Sequence, residues 1–381
     1  MAALKKVVLI PDSFKGTISS AEICTIMAEQ IRRYAPTAEI VRIPVADGGE
    51  GTVDAFVTAM GGGTVSIPVK GPYGENLMGF YGLVDGGRTA IVEMAACAGL
   101  PLVGDNRHAE KTTTYGVGQL INHAAEAGCK KIIVGLGGSA TNDGGTGAAC
   151  ALGIRFLDAA GNEFVPVGET LGHIASIDGS GLCPKLKNAE LITMCDIDNP
   201  LCGPQGASAV FGPQKGADAA TVDMLDRNLA HLSEVIKKDL GKDVLTLPGA
   251  GAAGGMGAGM VAFFGSKLQM GIETVLDTVS FDKLAEGADL IVSGEGRIDS
   301  QSLRGKVVAG VAGHAKRMGV PLVAVVGDIG DNIEPVYSMG VTAVFSINQV
   351  AVDFSISKTR TRSDLAKTMD NLTRFLTAFG G

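Results

Sequence analysis

VVLIPDSFKGTISSAEICTIMAEQIRRY, residues 7–34, begins with an apolar run that predicts a buried strand, followed by a loop and a helix. Apolar side chains recur at helical spacing in its second half, at Ile23, Met27, Ile31 and Tyr34. Ser19 and Glu22 have the spacing of a capping box, which predicts where the helix starts. The stretch is a strand–loop–helix unit, and it decides the fold class because the same order recurs further along the chain.

The second unit follows directly, with strand EIVRIPV (residues 39–45), loop ADGGEG and helix TVDAFVTAM (residues 52–60). The same order returns near the C terminus, in residues 288–347. Alternating strands and helices predict parallel strands joined by right-handed crossovers. We therefore expect a Rossmann-like α/β sheet that begins at the N terminus and finishes at the C terminus.

The middle of the chain has a different pattern, with short apolar segments at residues 63–75, 77–87 and 88–95 separated by Gly, Pro and Asp turns. This pattern is typical of antiparallel strands. A chain of 381 residues also exceeds what one hydrophobic core usually organises. The sequence predicts a mixed α/β domain over 64–287, inserted into a discontinuous domain of residues 1–63 and 288–381, with the active site in the interdomain cleft.

The composition is that of a globular enzyme, with 46% apolar and 19% charged residues. The 55 glycines are roughly twice the usual share and indicate many backbone-lined loops. A net charge of -8 without a basic stripe argues against nucleic acid as a partner. The expected partners are small molecules, and the expected state is a monomer or a weak homo-oligomer.

Cysteine usage and hydropathy predict a cytoplasmic protein that does not cross a membrane. The seven cysteines are an odd set without a C-x-x-C pair, which is typical of reduced thiols. The opening MAALKKVVLIPDS reaches an aspartate too soon for a signal peptide. The uncharged run at residues 247–266 contains seven glycines and a proline, so we expect it to pack within a core.

Acidic residues follow the strands of the predicted parallel sheet. They stand at four strand ends: Asp12, Asp47 with Glu50, Glu295 with Asp299, and Asp328. In open α/β sheets ligands bind outside the carboxyl ends of the strands. Single acids at such places often only begin turns or cap helices, but recurrence at four ends indicates a functional role. Asp47 is the first candidate.

Basic residues lie among these acids. Lys15 and Arg297 are inside the predicted loops, and Lys215 lies in a further glycine-rich segment, FGPQKGA. In a protein of net negative charge this arrangement favours an anionic ligand held together with a metal ion. For Arg304 and Lys306, surface solubility is an equally good explanation.

GLGGSATNDGGTG, residues 135–147, places six glycines after the apolar run KKIIV. Gly135, Gly137 and Ala140 match the G-x-G-x-x-A pattern of dinucleotide-binding loops, and Asp158 lies near the distance of a ribose-binding acid. No strand–helix series precedes the loop, however, and turn residues occupy the place where the helix would begin. Backbone amides that cradle a phosphate or carboxylate fit better. The predicted nucleotide-binding residues are Gly135, Gly137, Gly138, Ser139, Thr141, Asn142, Asp143 and Lys215.

Several common catalytic motifs do not occur in the sequence. It contains no G-x-x-x-x-G-K-[ST], no H-R-D or D-F-G, no G-x-S-x-G and no H-E-x-x-H. The last candidate segment is CDIDNPLCG, residues 195–203, in which Asp196 is a second possible catalytic carboxylate and Cys195 and Cys202 are interpreted as packing residues. An ordinary P-loop NTPase, a protein kinase and a serine hydrolase are therefore not supported.

Taken together, the motifs resemble the type I glycerate kinases. They are PDSFKG, VADGGEGT, EMAACAGL, GLGGSATNDGGTG, DIDNPLCG with VFGPQKGA, GAGAAGGMG and GEGRIDSQS. They occur in the order of that family and extend to about residue 310. The resemblance implies a two-domain α/β fold and transfer of the γ-phosphoryl group of ATP to D-glycerate with Mg²⁺, typically at the 2-hydroxyl.

The chemistry of phosphoryl transfer suggests hypotheses for the roles of the candidate residues. The predicted catalytic residues are Asp47, Asp196, Lys15 and Arg297, with Asp47 the first candidate for the base. The predicted substrate-binding residues are Asp12, Ser13, Lys15, Glu50, Arg297 and Asp299. The predicted metal ligands are Asp47, Asp196 and Glu295. The alternatives are a glycerate 3-kinase, an NAD(P)-dependent dehydrogenase and a non-catalytic sugar-acid sensor.

Overall fold

The computed structural model describes residues 4–299 and 306–378. Arg304 and the end of the GEGRIDSQS motif lie outside the described residues. The strands, numbered along the chain, are β1 (Lys6–Pro11), β2 (Glu39–Arg42), β3 (Gly63–Lys70), β4 (Asn76–Val84), β5 (Thr89–Glu93), β6 (Lys131–Gly135), β7 (Arg155–Leu157), β8 (Glu163–Phe164), β9 (Ser176–Asp178), β10 (Glu190–Met194), β11 (Lys267–Gln269), β12 (Leu290–Gly294), β13 (Arg297–Ile298), β14 (Leu322–Val326), β15 (Asp328–Ile329) and β16 (Val341–Ser346).

The α-helices connect these strands. They are α1 (Ser20–Tyr34), α2 (Thr52–Met60), α3 (Ala95–Ala98), α4 (Leu100–Val103), α5 (Tyr115–Glu126), α6 (Thr146–Ala151), α7 (Ala207–Phe211), α8 (Ala219–Leu240), α9 (Ala252–Phe264), α10 (Gly271–Thr278), α11 (Phe281–Ala285), α12 (Val307–Met318), α13 (Pro335–Met339) and α14 (Phe354–Ala378). Contacts divide the chain into two compact units, Met1–Ala46 with Thr58–Met60 and Ile272–Gly381, and Asp47–Val57 with Gly61–Gly271.

The first unit contains a five-stranded sheet in the order β16-β14-β12-β1-β2. Every pairing in it is parallel, and β1 lies between β2 and β12 with Val7 opposite Leu290. Strands from the two ends of the chain therefore share one sheet, which confirms the predicted α/β class. The three central strands, β1, β12 and β14, are apolar and almost completely buried, as is typical of parallel sheets, whereas the edge strands β2 and β16 are partly exposed.

Helix α1 begins where the sequence predicts. The Ser19 hydroxyl accepts a hydrogen bond from the Glu22 N–H at 3.3 Å, and Ile23, Met27 and Ile31 are buried. The Glu22 carboxylate binds Arg362 of α14, with 2.6 Å between Oε1 and Nε. The capping box is thus only half formed, because an ion pair with α14 holds the residue that would complete it.

The second unit contains a six-stranded sheet in the order β11-β10-β6-β5-β4-β3. Strands β3, β4 and β5 pair antiparallel, as predicted, whereas β5, β6, β10 and β11 pair parallel. The sheet is therefore mixed, and β5–α5–β6 is a parallel unit that precedes the glycine loop. The expectation that no such unit precedes the loop is wrong. A small antiparallel sheet, β8-β7-β9, lies in the same unit.

The uncharged run at residues 247–266 packs in the core of the second unit. It contains α9, whose residues are buried almost throughout, with Met256 and Met260 fully inaccessible to solvent. Ala253, Gly254 and Gly255 at its start have positive φ and break the helical geometry. No helix in the described part of the chain is both long and apolar enough to span a bilayer.

Residues 61–63 fall in the second unit instead of the first, and the two units also differ from the predicted domains at two longer stretches. Residues 47–57 belong to the second unit, where Gly48 and Gly49 contact Gly135 and Gly137. Residues 272–287 belong to the first unit, where α10 packs on α12 so closely that a Cβ on Gly310 would lie 2.8 Å from the Ile272 side chain. In both places tertiary contacts, rather than the chain's order of strands and helices, determine the division.

Candidate active site

In the first unit, polar residues gather at the carboxyl ends of β1, β12 and β14. The Asp12 N–H donates to the Gly294 carbonyl at 2.8 Å, which joins the loops after β1 and β12. The Ser13 N–H donates to the Asp12 carboxylate at 2.6 Å. The Lys15 side chain is exposed in the same loop. Three of the predicted substrate-binding residues are therefore neighbours.

Arg297 and Glu295 follow β12 and are held by opposite charges. The Arg297 guanidinium lies 3.6 Å from Asp299 and 3.7 Å from Asp328, and its side chain is 61% exposed. Glu295 is buried, and Lys306 lies 3.9 Å from its carboxylate. Arg297 is accessible to a ligand anion, which would compete with the two aspartates for the guanidinium.

In the second unit, the glycine loop after β6 packs against the loop that carries Asp47. The Gly137 N–H donates to the Gly48 carbonyl at 3.0 Å. A Cβ on Gly137 would lie 2.6 Å from the Gly49 Cα, and one on Gly135 would lie 2.8 Å from the Gly48 Cα. The close approach of another segment explains why these two residues lack side chains. Nucleotide binding by Gly135, Gly137 and Gly138 stays a prediction.

Asp47 and Glu50 are exposed in this loop. The Asp47 carboxylate accepts a hydrogen bond from the Gly49 N–H at 3.3 Å. Gly48 contacts Gly135 and also Met194, which are opposite one another at the carboxyl ends of β6 and β10. The Asp47 carboxylate is therefore held at the edge of the sheet where ligands bind in α/β folds.

Asp143 is completely buried, and its carboxylate is occupied by its own chain. It accepts hydrogen bonds from the N–H and hydroxyl of Thr114, at 2.7 and 2.8 Å, and from the N–H groups of Gly145 and Gly147. Burial raises the pKa of Asp143, and these donors counteract the rise. Its observed contacts join the glycine loop to the start of α5 and account for the residue without a nucleotide.

Lys215 is also buried, at 2% exposure, and holds the middle of the glycine loop. Its ammonium donates to the Ser139 hydroxyl at 2.8 Å and to the Thr141 carbonyl at 2.7 Å. Burial lowers the pKa of Lys215 to about 7, although the carboxylate of Asp143 opposes this shift. The lysine links the segment after α7 to the glycine loop.

Two buried polar atoms of the glycine loop have no hydrogen-bond partner among the described residues. They are Oγ1 of Thr141 and Nδ2 of Asn142. The other amide atom of Asn142, Oδ1, accepts a hydrogen bond from Ser208 at 3.4 Å. Buried polar groups are usually paired, so these two atoms are the part of the loop best able to receive a ligand or an ordered water.

Asp196 lies two residues beyond β10 and is exposed. Its carboxylate accepts a hydrogen bond from the Gly271 N–H at 2.6 Å. Among residues 4–299 and 306–378, no group of three or more His, Cys, Asp or Glu side chains is arranged to hold a metal ion by itself. A Mg²⁺ site at Asp47, Asp196 or Glu295 stays a prediction.

Glu93, the last residue of β5, is absent from the predicted site. It is 3% exposed, and its carboxylate accepts a hydrogen bond from the Val53 N–H at 2.5 Å. Burial raises its pKa to about 7. The rule that selected Asp12 and Asp47, an acid directly after an apolar strand, also applies to TAIVE, but Glu93 is followed by MAACA instead of a Gly or Asp turn.

Comparisons with known proteins agree with this architecture. Residues 7–377 match the model of the Glycerate kinase family. Among curated proteins, the glycerate kinase of Bacillus subtilis is 46% identical over 348 residues, which cover 91% of both chains. The glycerate 2-kinase of Escherichia coli is 46% identical over 343 residues, or 90% of both chains.

A solved structure has the same fold. The crystal structure of putative glycerate kinase 2 from Salmonella typhimurium LT2 superposes with a TM-score of 0.88 at 43% sequence identity, and covers 98% of this chain and 99% of that one. The fold and its polar strand ends are those of an α/β enzyme. The chain belongs to the glycerate kinase family.

Proposed function

We propose that this enzyme transfers the γ-phosphoryl group of ATP to the 2-hydroxyl of D-glycerate and releases 2-phosphoglycerate and ADP. The observation that carries the proposal is the family match over residues 7–377. Relatives named glycerate kinase support the reaction, and the relative named glycerate 2-kinase supports the position. The exposed carboxylate of Asp47, held at the carboxyl ends of the parallel strands β6 and β10, would supply the base that the reaction requires.

Asp47 is the proposed base. As the hydroxyl oxygen of glycerate attacks the γ-phosphorus, its proton passes to the Asp47 carboxylate, and the bond from the γ-phosphorus to the β–γ bridging oxygen breaks. The electron pair of that bond leaves with ADP. Asp196 is the second candidate for the same role, because its carboxylate is also exposed at a strand end.

Arg297 and Lys15 are proposed to bind the carboxylate of glycerate or the phosphoryl group in transfer. Both side chains are exposed, Arg297 in the short strand β13 just after β12 and Lys15 in the loop after β1. A guanidinium can make two parallel hydrogen bonds to a carboxylate or phosphate, which fixes orientation as well as charge. Asp12, Ser13, Glu50 and Asp299 are proposed to complete the contacts to substrate.

The glycine loop is proposed to bind the nucleotide phosphates. Thr141 and Asn142 supply the two buried polar atoms of this loop that have no partner among the described residues. Ser139, Asp143 and Lys215 make hydrogen bonds within the chain, so their proposed role is to hold the loop in shape for the backbone amides around Gly138.

Mg²⁺ fits the donor set of this chain. Magnesium in phosphoryl-transfer enzymes is usually held by one or two carboxylates together with substrate phosphates and water, so a dedicated group of three side chains is not required. The proposed carboxylate ligands are Asp47, Asp196 and Glu295, and of Asp47 and Asp196 the one that does not act as base would hold the metal ion. When bound, Mg²⁺ would neutralise the phosphate charge that develops during transfer.

The test is ADP release from ATP with D-glycerate and Mg²⁺, followed by addition of enolase with or without phosphoglycerate mutase. We expect enolase alone to convert the product, because 2-phosphoglycerate is its substrate. Conversion that depends on the mutase would instead identify 3-phosphoglycerate and a glycerate 3-kinase. Absence of ADP, together with thermal stabilisation by NAD(P) or by glycerate alone, would overturn the kinase proposal in favour of a dehydrogenase or a sensor.

A further inference from the structure

Helix α2 begins directly after the loop that carries Asp47, and its N terminus is not capped by its own N-cap side chain. The N-cap residue is Gly51, at φ +86°, which offers no side-chain acceptor. The first N–H groups of any helix lack partners within the helix, and an acceptor placed there stabilises the helix. The helix must therefore find an acceptor elsewhere in the chain.

Glu93 supplies that acceptor from the sheet. Its carboxylate accepts the Val53 N–H at 2.5 Å, from a position at the carboxyl end of β5. Glu93 is paired in register with Gly135, the first residue of the glycine loop. One buried side chain thus joins the end of the sheet to the first turn of α2.

Hydrogen bonds also join the first turn of α2 to the loop that carries Asp47. The Thr52 hydroxyl and N–H both donate to the Gly49 carbonyl, at 2.7 and 3.2 Å. The Gly49 N–H donates to the Asp47 carboxylate at 3.3 Å. A continuous path therefore runs from Glu93 to the Asp47 carboxylate, through these hydrogen bonds, the Thr52–Val53 peptide and the backbone of Gly49.

We propose that Glu93 is a positioning residue that sets the Asp47 carboxylate by capping α2 from the neighbouring strand. The inference rests on the proposed function, because it concerns the group proposed there as base. Glu93 itself does not touch substrate in this proposal. A misplacement of about 1 Å at a reacting group can cost about 100-fold in rate, so a residue that holds the loop can have a large effect.

The surroundings of Glu93 disfavour an ionised carboxyl group at this position. Burial raises its pKa to about 7, hydrogen bonds from Val53 and Gly51 oppose the rise, and the nearby carboxylates of Asp54 and Glu50 add to it. A buried carboxyl group near two further acids destabilises the fold when it is ionised. A simple packing role would be filled better by an apolar side chain of the same size.

The experiment is a double-mutant cycle with Glu93→Ala and Asp47→Asn, with kcat and the KM values for ATP and D-glycerate measured well below each variant's Tm. We expect Glu93→Ala to lower kcat by about 10- to 100-fold and to change the KM for ATP less than about 3-fold. Glu93→Gln keeps an oxygen acceptor for the Val53 N–H, so its kcat should stay within about 3-fold of the wild type.

The double variant decides whether Glu93 acts through Asp47. We expect Glu93→Ala to cost less than about 2-fold in kcat once Asp47→Asn is present, because the group being positioned is already lost. Asp239→Ala is the matched control, since Asp239 accepts the Ile177 N–H at 2.8 Å outside the Asp47 loop. It should lower Tm without a change in kcat.

Three outcomes would overturn the inference: normal kcat in Glu93→Ala, full additivity of the two losses, or a Glu93→Gln variant as slow as Glu93→Ala. If Glu93→Ala does not fold, Glu93→Asp replaces it in the cycle, because the shorter side chain keeps the charge but withdraws from Val53. Normal kcat in Asp47→Asn alone would reject the base assigned under the proposed function, which is a different result from additivity.

Discussion

Lys215 shows how one buried cation can hold a loop. Its ammonium satisfies the Ser139 hydroxyl and the Thr141 carbonyl, and both acceptors would be left without it. Lys215→Met keeps the length of the side chain but removes the donors. We expect the variant to lose about 1–3 kcal/mol of unfolding free energy, the usual cost of unpaired buried groups, measured by urea denaturation.

Lys242→Met is the control for that substitution, because Lys242 is an exposed lysine that follows α8. Its replacement should change the unfolding free energy by less than about 0.5 kcal/mol. Equal stability of Lys215→Met and the wild type would show that the two hydrogen bonds contribute nothing net.

The raised pKa of Glu93 makes the stability of the protein depend on pH. Its pKa is about 7 in the folded protein and starts from 4.5, so between these values the folded state binds more protons than the unfolded state. Stability therefore falls as pH rises from 4.5 through 7. Glu93→Gln removes this contribution to the pH dependence. The unfolding free energy of the variant minus that of the wild type should therefore increase by up to about 3 kcal/mol from pH 5 to pH 8.

Urea denaturation of both proteins at pH 5, 6, 7 and 8 measures this difference. Parallel pH profiles would show that the carboxyl group titrates at its ordinary pKa in the folded state, and would remove the electrostatic cost assigned to its burial.

Helix α9 has a glycine in the left-handed conformation near each of its two ends. Gly254 and Gly265 have nearly the same φ, +67° and +66°. A Cβ on Gly254 would overlap the Thr141 carbonyl, whereas one on Gly265 would meet nothing within 4 Å. Both alanine variants carry the backbone strain of about 1–2 kcal/mol, and Gly254→Ala adds overpacking of about 1–3 kcal/mol.

The difference in unfolding free energy between Gly254→Ala and Gly265→Ala therefore isolates the contact between α9 and the glycine loop. We expect Gly254→Ala to be the less stable of the two by at least about 1 kcal/mol. Equal losses would mean that the start of α9 can move away from Thr141 without cost.

The elements also show what the sequence could and could not predict. Helix α1 is predictable because a Ser19 cap precedes regularly spaced apolar residues. The sequence does not predict helix α5, since Gly116 and Gly118 lie inside it and its N-cap side chain makes no capping hydrogen bond. Those glycines are needed because a Cβ on Gly116 would overlap the Lys70 carbonyl, and one on Gly118 would overlap the carbonyl of Ala148. Tertiary packing that demands small residues weakens the local helical signal.

For the candidate site, too, some features can be predicted from the sequence and others cannot. The position of Asp47 in a glycine-containing loop beyond a strand is predictable from the sequence VADGGEG after EIVRIP, whereas its catalytic role stays a prediction. The intramolecular roles of Gly137 and Asp143 are not predictable, since they depend on Gly49 and Thr114, which are distant in sequence. A glycine cluster identifies unusual backbone, but only the structure shows which segment lies against it.

We expect the second unit to fold alone when it is produced as a fragment. Residues 47–271 contain the complete six-stranded sheet and the Asp47 loop that covers Gly135 and Gly137. We expect this fragment to unfold cooperatively in urea. A fragment with the boundaries predicted from sequence, residues 64–287, lacks the Asp47 loop and should be less stable. Greater stability of the 64–287 fragment would contradict the division found in the structure.

The place of β1 between β2 and β12 also affects how the protein is made. Val7 cannot pair with Leu290 until residues up to about 294 have left the ribosome. At synthesis rates of roughly 5 to 20 residues per second, the interval is about 15 to 60 seconds. For that time the apolar strand VVLI has one open edge, on which a strand of another nascent chain could pair. We therefore expect the first 46 residues to need protection from such pairing, for example by a chaperone, until β12 has been synthesised.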